Sequence, residues 1–201
     1  MPVTVIVGGQ FGSEGKGKIA HFLAKEMRAS AAIRVGGPNS GHTVQIDNKP
    51  IIFRQLPTAS ILSGIKCVLP AGSYILPSLL FEEMRATNLS SSRLLIDPNA
   101  VVITDENLQE ENQSMLRSTI GSTQSGTGAA VLARISRRGH VKLAQDEESL
   151  KPFICPVTPF LRERLDKNER VIIEGTQGFG LSVLHTRDYP FATSRDTTAA
   201  G

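Results

Sequence analysis

The stretch Gly8-Gly9-Gln10-Phe11-Gly12-Ser13-Glu14-Gly15-Lys16-Gly17-Lys18 constrains this chain more than any other. It follows Pro2-Val3-Thr4-Val5-Ile6-Val7, an apolar and β-branched run suited to a strand buried on both faces. It precedes Ile19-Ala20-His21-Phe22-Leu23-Ala24-Lys25, whose apolar residues recur at helical spacing. A glycine-rich turn from strand to helix aims backbone N–H groups and the positive end of the helix dipole at one point, and it lets a phosphate approach closely. Gly12 to Lys18 satisfies G-x-x-x-x-G-K, yet Ile19 stands where such a loop carries the Ser or Thr that holds Mg²⁺. A metal here needs other ligands. The competing reading is a glycine-rich surface turn with two solvated lysines.

Residues 31–35 read as a second short strand, and it ends in Gly36-Gly37-Pro38-Asn39-Ser40-Gly41-His42-Thr43. A glycine-rich loop at a strand end is where open α/β sheets bind ligands. If the two strands are parallel neighbours, both loops face one crevice. His42 then becomes a candidate for acid catalysis or for holding a phosphoryl oxygen, against the plainer reading of a histidine hydrogen-bonded inside a turn. A third loop of this kind, Glu174-Gly175-Thr176-Gln177-Gly178-Phe179-Gly180, follows the apolar run Val171-Ile172-Ile173.

Between these loops the pattern predicts a hairpin from 43–46 and 51–56 with a four-residue turn, a strand at 66–70, and a helix over 76–87 with Pro77 in its first turn. Glu82 and Glu83 read as a solvated face of that helix. Strands at 94–96 and 101–103 follow, then a polar helix capped by Asp105 and running to about Arg117. Residues 118–128 are rich in hydroxyls and glycine; they are either a flexible linker or a binding loop served by Arg134, Arg137 and Arg138. The segment 146–168 is helical in outline with breaks at Pro156 and Pro159. The expected fold is α/β, with a mostly parallel central sheet, helices on both faces and a P-loop-like nucleotide site. Residues 189–201 bring no closing strand or helix, so the expectation is one domain that is C-terminally incomplete.

A net charge of +3 without a basic stripe or aromatic platforms argues against nucleic acid as a partner. Cys67 and Cys155 stand apart in apolar surroundings and read as buried thiols of a reducing compartment. The chain opens directly on a strand and has no apolar run of bilayer length, so a cytoplasmic protein with no membrane partner is expected.

Taken together, the loops resemble the adenylosuccinate synthetase family, which joins L-aspartate to carbon 6 of a purine nucleoside monophosphate at the expense of a nucleoside triphosphate. The family's G-x-Q-[WF]-G-D-E-G-K-G-K opening matches Gly8 to Lys18, and its N-A-G-H-T element matches Asn39-Ser40-Gly41-His42-Thr43. Gly121-Ser122-Thr123 is similar to the G-T-T loop, Arg137-Arg138-Gly139 to R-R-G, and Glu174-Gly175-Thr176-Gln177-Gly178 to E-G-A-Q-G. Tyr189-Pro190-Phe191-Ala192-Thr193-Ser194, with Thr197-Thr198-Ala199, is similar to Y-P-Y-V-T-S followed by T-T-A.

The resemblance implies a ligase in which O6 of the purine takes the γ-phosphoryl group of GTP (or ATP) and the amine of aspartate then displaces it. Gly12, Ser13, Glu14, Gly15, Lys16, Gly17 and Lys18, with Gly41, His42 and Thr43, would hold the triphosphate. Ser13, Lys18, His42 and Gln177 would be catalytic. Ser13 and Gly41 would hold Mg²⁺. Asn39, Ser40, Gly41, Thr123, Gln177 and Thr193 would hold the monophosphate, and Arg137 would reach its phosphate from a second subunit of a homodimer. Ser13 departs from the family's Asp, which serves as base for the N1 proton. The resemblance implies IMP as substrate and GTP as donor, giving adenylosuccinate; serine at this place resembles the phage branch that aminates dGMP with ATP to 2-aminoadenylosuccinate, which is the alternative. An inactive copy is a further alternative. The family's aspartate loop and base-recognition segment have no counterpart within these residues, so the isolated chain is expected to bind nucleotide poorly and not to turn over. From a different class, a P-loop NTPase switch would want a hydroxyl at position 19 and a strand-terminal Asp to anchor metal, and Asp97 before Pro98 reads as a plain turn.

Overall fold

Strands built from consecutive Val, Ile and Ala carry apolar side chains on both faces and need cover on both. The computed structural model describes residues 2–47, 49–137 and 141–201 and gives most of them that cover. The chain runs β1 (Val3–Ile6), α1 (Lys16–Glu26), β2 (Ala31–Arg34), β3 (His42–Ile46), β4 (Lys49–Phe53), β5 (Lys66–Leu69), β6 (Tyr74–Ile75), α2 (Pro77–Ala86), β7 (Leu94–Ile96), β8 (Val101–Val102), α3 (Asp105–Gln113), α4 (Leu116–Ile120), α5 (Thr127–Ser136), α6 (Val157–Asp166) and β9 (Val171–Glu174). Five of these strands form one parallel sheet in the order β1-β9-β2-β5-β7.

Helices cover both faces. Ala20 and Ala24 of α1 pack with Ile6, Ala32 and Ile172 on one side, where their short side chains let the helix lie close. Val157 of α6, with Phe160 and Leu161 at the edge of the cluster, packs on the other side against Ala31, Ile33, Val68 and Val171. The hairpin β3-β4 and the small parallel pair β6-β8 close the far end around Phe53, Leu69, Ile75, Leu80 and Ile96. No helix among the described residues is long and apolar enough to cross a membrane.

Several expectations need correction. β1 lies at the sheet edge, and Val5 and Val7 are each 40% exposed, so this run is not buried on both faces. Ile46 pairs with Lys49 and Gln45 with Pro50, so Lys49 and Pro50 belong to the second strand rather than to a four-residue turn. Thr104, not Asp105, caps α3: its hydroxyl accepts from Asn107 N while the Asn107 side chain accepts from Thr104 N, a reciprocal box. The polar helix stops at Gln113, and a separate short α4 follows. Pro156 precedes α6, but Pro159 falls in its first turn, where no intrahelical N–H is needed, so it breaks nothing. Cys67 is fully buried, and burial pushes its thiol up to about 12; Cys155 is only half-buried.

Glu83 is the largest departure. It is buried, and its carboxylate accepts the backbone N–H groups of Arg54, Gln55 and Leu56, the last at 2.8 Å. Burial raises its pKa against the lowering effect of those amides. The side chain thus holds the turn after β4, while Glu82 one position earlier points to solvent. Glu83→Ala leaves three buried amides without an acceptor and is expected to cost about 3 kcal/mol, whereas Glu82→Ala stays within about 0.5 kcal/mol. Equal midpoints for the two variants in urea unfolding would contradict the assignment.

Candidate functional site

Three loops leave the same end of the sheet from adjacent strands. Ile6, Glu174 and Arg34 sit side by side at the last positions of β1, β9 and β2, and each strand runs straight into one of the glycine loops. Parallel pairing therefore brings together loops far apart in sequence, in the crevice where open sheets bind ligands.

Charged residues inside a buried sheet need partners, and Arg34 and Glu174, 2% and 1% exposed, have each other. Arg34 Nη1 donates to Glu174 Oε1 at 3.0 Å, and Nη2 donates to Ser40 Oγ and to the Ser40 carbonyl at 3.1 Å. The second carboxylate oxygen accepts from Thr58 N and Thr58 Oγ1, both at 2.9 Å. His42 Nδ1 contacts Glu174 Oε1 and Arg34 Nη1, and because guanidinium never accepts, Nδ1 is a donor only toward Glu174. Burial first, and the Arg34 cation second, hold His42 below the ordinary histidine value; the Glu174 bond opposes them. Burial alone would raise the Glu174 pKa, but the bond from His42 and the charge of Arg34 bring it below the usual carboxylate value.

The first loop is organised by its own carboxylate. Glu14 accepts from Gly9 N and Gln10 N at 3.0 Å and from Gly12 N at 3.1 Å, so those amides are already satisfied. Beyond it, Gly15 is the N-cap of α1 in a left-handed conformation with no side-chain cap, which leaves the first-turn amides of α1 facing outward for an anion. Gly17 is required there: a Cβ would lie 2.8 Å from His42 Cβ and 2.9 Å from Thr58 Cγ2. Lys16 is 5% exposed, and desolvation lowers its pKa, whereas Lys18 is exposed.

A cavity of about 480 Å³ is lined by Gly12, Ser13, Glu14, Gly15, Lys16, Gly17 and Lys18 from the first loop and by Asn39, Ser40, Gly41, His42 and Thr43 from the second. A second cavity of about 500 Å³ takes Thr123 and Thr193 on its walls. Asn39, Gln177 and Leu181 line both. The expected residues are therefore gathered into two adjoining spaces, with the exception of Arg137, exposed at the C-cap of α5, and of Arg134, whose Nη1 donates to the carbonyls of Ala71 and Asn99; neither lines a cavity. Arg138 and Gly139 lie outside the described residues. The stretch 118–128 is no linker: α4 ends in it, α5 begins in it, and Ser125 and Thr127 are buried. Asn39 Nδ2 donates to Thr193 Oγ1 at 3.5 Å, joining the second loop to the C-terminal segment.

Among residues with hard oxygen donors in the first cavity, Ser13 and Gly41 are exposed, and both oxygens of Glu14 are taken by amides. Two neutral oxygens suit Mg²⁺ only alongside phosphate oxygens brought by the ligand, which is how that ion is commonly held. Sequence reasoning gave no role to Arg34, Glu174, Glu83, Glu111 or Thr58. The usable signal was a charged residue ending an otherwise apolar strand, as in Ala-Ala-Ile-Arg and Val-Ile-Ile-Glu.

The sequence model of the adenylosuccinate synthetase family matches residues 5–145 and 140–201. Adenylosuccinate synthetase of Methanococcus aeolicus is 38% identical over 205 aligned positions, covering 100% of this chain and 60% of its own length. That of Methanocaldococcus jannaschii is 39% identical over 202, covering 98% and 57%. Among solved structures, the fully ligated adenylosuccinate synthetase of Plasmodium falciparum superposes with a TM-score of 0.88 at 23% identity, over 100% of this chain and 57% of that one, which establishes the shared fold. The succinoaminodeoxyadenylate synthetase of cyanophage S-2L, bound to dGMP and to dATP as an energy donor, superposes with a TM-score of 0.81 at 33% identity, over 98% and 57%. The chain spans 57–60% of the length of these relatives. Matched by the family model along nearly its whole length, the chain belongs to the adenylosuccinate synthetase family.

Proposed function

We propose that the chain carries the two nucleotide sites of a cytoplasmic, homodimeric ligase that joins L-aspartate to carbon 6 of a purine nucleoside monophosphate, with GTP or ATP as phosphoryl donor and Mg²⁺ as cofactor. The observation that carries this proposal is the wall of Asn39, Gln177 and Leu181 shared by two cavities. It suits transfer of a phosphoryl group from a triphosphate in one space to a purine oxygen in the other. Such a transfer is chiefly positioning and charge neutralisation, and the first cavity supplies both through the α1 amides and Lys16.

Lys18, the lysine expected from the motif to be catalytic, reaches the cavity from an exposed position, while buried Lys16 gains most from a phosphate counter-charge. His42 is neutral before the ligand arrives, with Nδ1–H held by Glu174. A phosphoryl anion beside it would offset burial and favour the protonated ring, whose Nε2–H would hydrogen-bond the transferring phosphoryl oxygen. Mg²⁺, held by Ser13 and Gly41 with ligand oxygens, would neutralise phosphate charge. A switch-type NTPase is disfavoured: Asp97 commits its oxygens to Asn99 N and Val157 N rather than to a metal.

Ser13 favours a second substrate reading. Its hydroxyl is a poor base and smaller than the family's aspartate. The match to a structure bound to dGMP and dATP supports a dGMP-type monophosphate with its 2-amino group over IMP.

Two outcomes are expected. In titrations of this chain, dGMP and dATP bind together without competing, dGMP more tightly than IMP, and Ser13→Asp, by adding charge and bulk to the wall of the first cavity, narrows that preference by about tenfold, the scale of one polar contact. Mutual competition for one site would remove the two-site reading; an unchanged preference in Ser13→Asp would remove only the dGMP assignment. The pH dependence follows from His42. Its folded pKa lies below 6.5, so near that pH the unfolded chain takes up a proton that the folded chain resists, and the stability present above about 6.5 declines as the pH falls below it. His21, also lowered first by burial, adds to the same window. Thermal midpoints from pH 8 to 5.5 should slope downward, less steeply for His42→Asn; an identical slope would disprove the buried neutral histidine.

A further inference from the structure

We propose that Glu111 is a positioning residue that fixes the phosphate-facing turn of the second cavity, an inference that rests on reading that cavity as the monophosphate site. Glu111 lies on α3, is 6% exposed and lines the cavity. Its Oε2 accepts from Gly126 N; its Oε1 accepts from Gly128 N at 3.3 Å and from Ser122 Oγ at 3.5 Å. Gly126 is the N-cap of α5 and Gly128 lies in its first turn, so the carboxylate takes amides that would otherwise be the anion-binding end of that helix. The turn from Gly121 to Gly126 is thereby tied at both ends to one side chain.

The rest of the turn depends on that tie. Gly121, Gln124 and Gly126 all have positive φ, a sequence of conformations that needs an external constraint when one of them is not glycine. Ser122 Oγ accepts from Gln124 N at 3.2 Å, and Thr123 Oγ1 donates to Ser125 Oγ at 3.2 Å, so the hydroxyls are held in register once Ser122 is fixed. Gly128 is shaped for the approach: a Cβ there would lie 2.9 Å from Glu111 Oε1. The α5 amides being occupied, a phosphate in this cavity is met by Ser122, Thr123 and the amides of the turn itself rather than by the helix end. The ligand class selected is a nucleotide bearing a terminal phosphate, over the corresponding nucleoside.

The experiment compares dGMP with deoxyguanosine by titration of the whole chain, wild type against Glu111→Gln, followed through the amide resonances of Gly126 and Gly128. The amide variant keeps the size but opposes a donor to one N–H, and it is expected to weaken dGMP by about tenfold while deoxyguanosine and dATP change less than twofold. Gly128→Ala crowds the carboxylate without removing its charge and is expected to do the same, which tests the idea should Glu111→Gln fail to fold. Equal loss of dGMP and deoxyguanosine in the folded variant, or no loss in either, overturns the positioning role. A wild-type chain that binds deoxyguanosine as well as dGMP overturns the monophosphate reading of the cavity instead.

Discussion

The Glu174 carboxylate is the point through which the three loops are held to one another. It stands at the end of the central strand of three, and its two oxygens take up the Arg34 guanidinium, His42 Nδ1, Thr58 N and Thr58 Oγ1. A buried ion pair adds little net stability over an apolar pair of the same shape. Its consequence here is positional: Arg34 reaches on to Ser40, so one carboxylate on β9 sets the second loop, the histidine that opens β3 and the segment that packs under α1. Remove it, and a cation and a histidine are left in a dry sheet with nothing to orient them.

The same device recurs. Glu14 satisfies amides of the first loop, Glu83 the turn after β4, and Glu111 the turn before α5. Each is an acid whose carboxylate oxygens accept several backbone N–H groups, the place a ligand phosphate takes in looser glycine loops. A loop shaped in this way keeps its form in the absence of nucleotide. The amides left over, at the start of α1, then face the cavity already aligned, and binding does not have to order them.

Much of this was legible in the sequence, and the rest failed for identifiable reasons. Glycine punctuation at strand ends located all three loops, because close approach and left-handed backbone leave few other residues possible, as at Gly17. Parallel adjacency was conditional until the register placed Ile6, Glu174 and Arg34 in a row. Glu83 was misread because charge on a helix surface is usually solvated: nothing local distinguishes it from Glu82, and only the fold brings three orphan amides to one of them. The edge position of β1 was likewise invisible, since an apolar run reads as buried whatever lies beside it.

Ser13 acquires its meaning from this charge balance. Behind the first cavity the Glu174 charge is spent on Arg34 and His42, and on its wall the Glu14 charge is spent on amides. Lys16 is left with a desolvated amine whose pKa is lowered for want of a dedicated partner, Glu14 and Glu174 raising it only in part. A carboxylate at position 13 would add a negative charge to the same cavity wall. With serine there, the opposing charge has to arrive on the ligand, and each phosphate that enters returns to Lys16 the stabilisation that burial removed. A cavity of this charge would favour a strongly anionic ligand, and at position 13 it carries a hydroxyl rather than an acid.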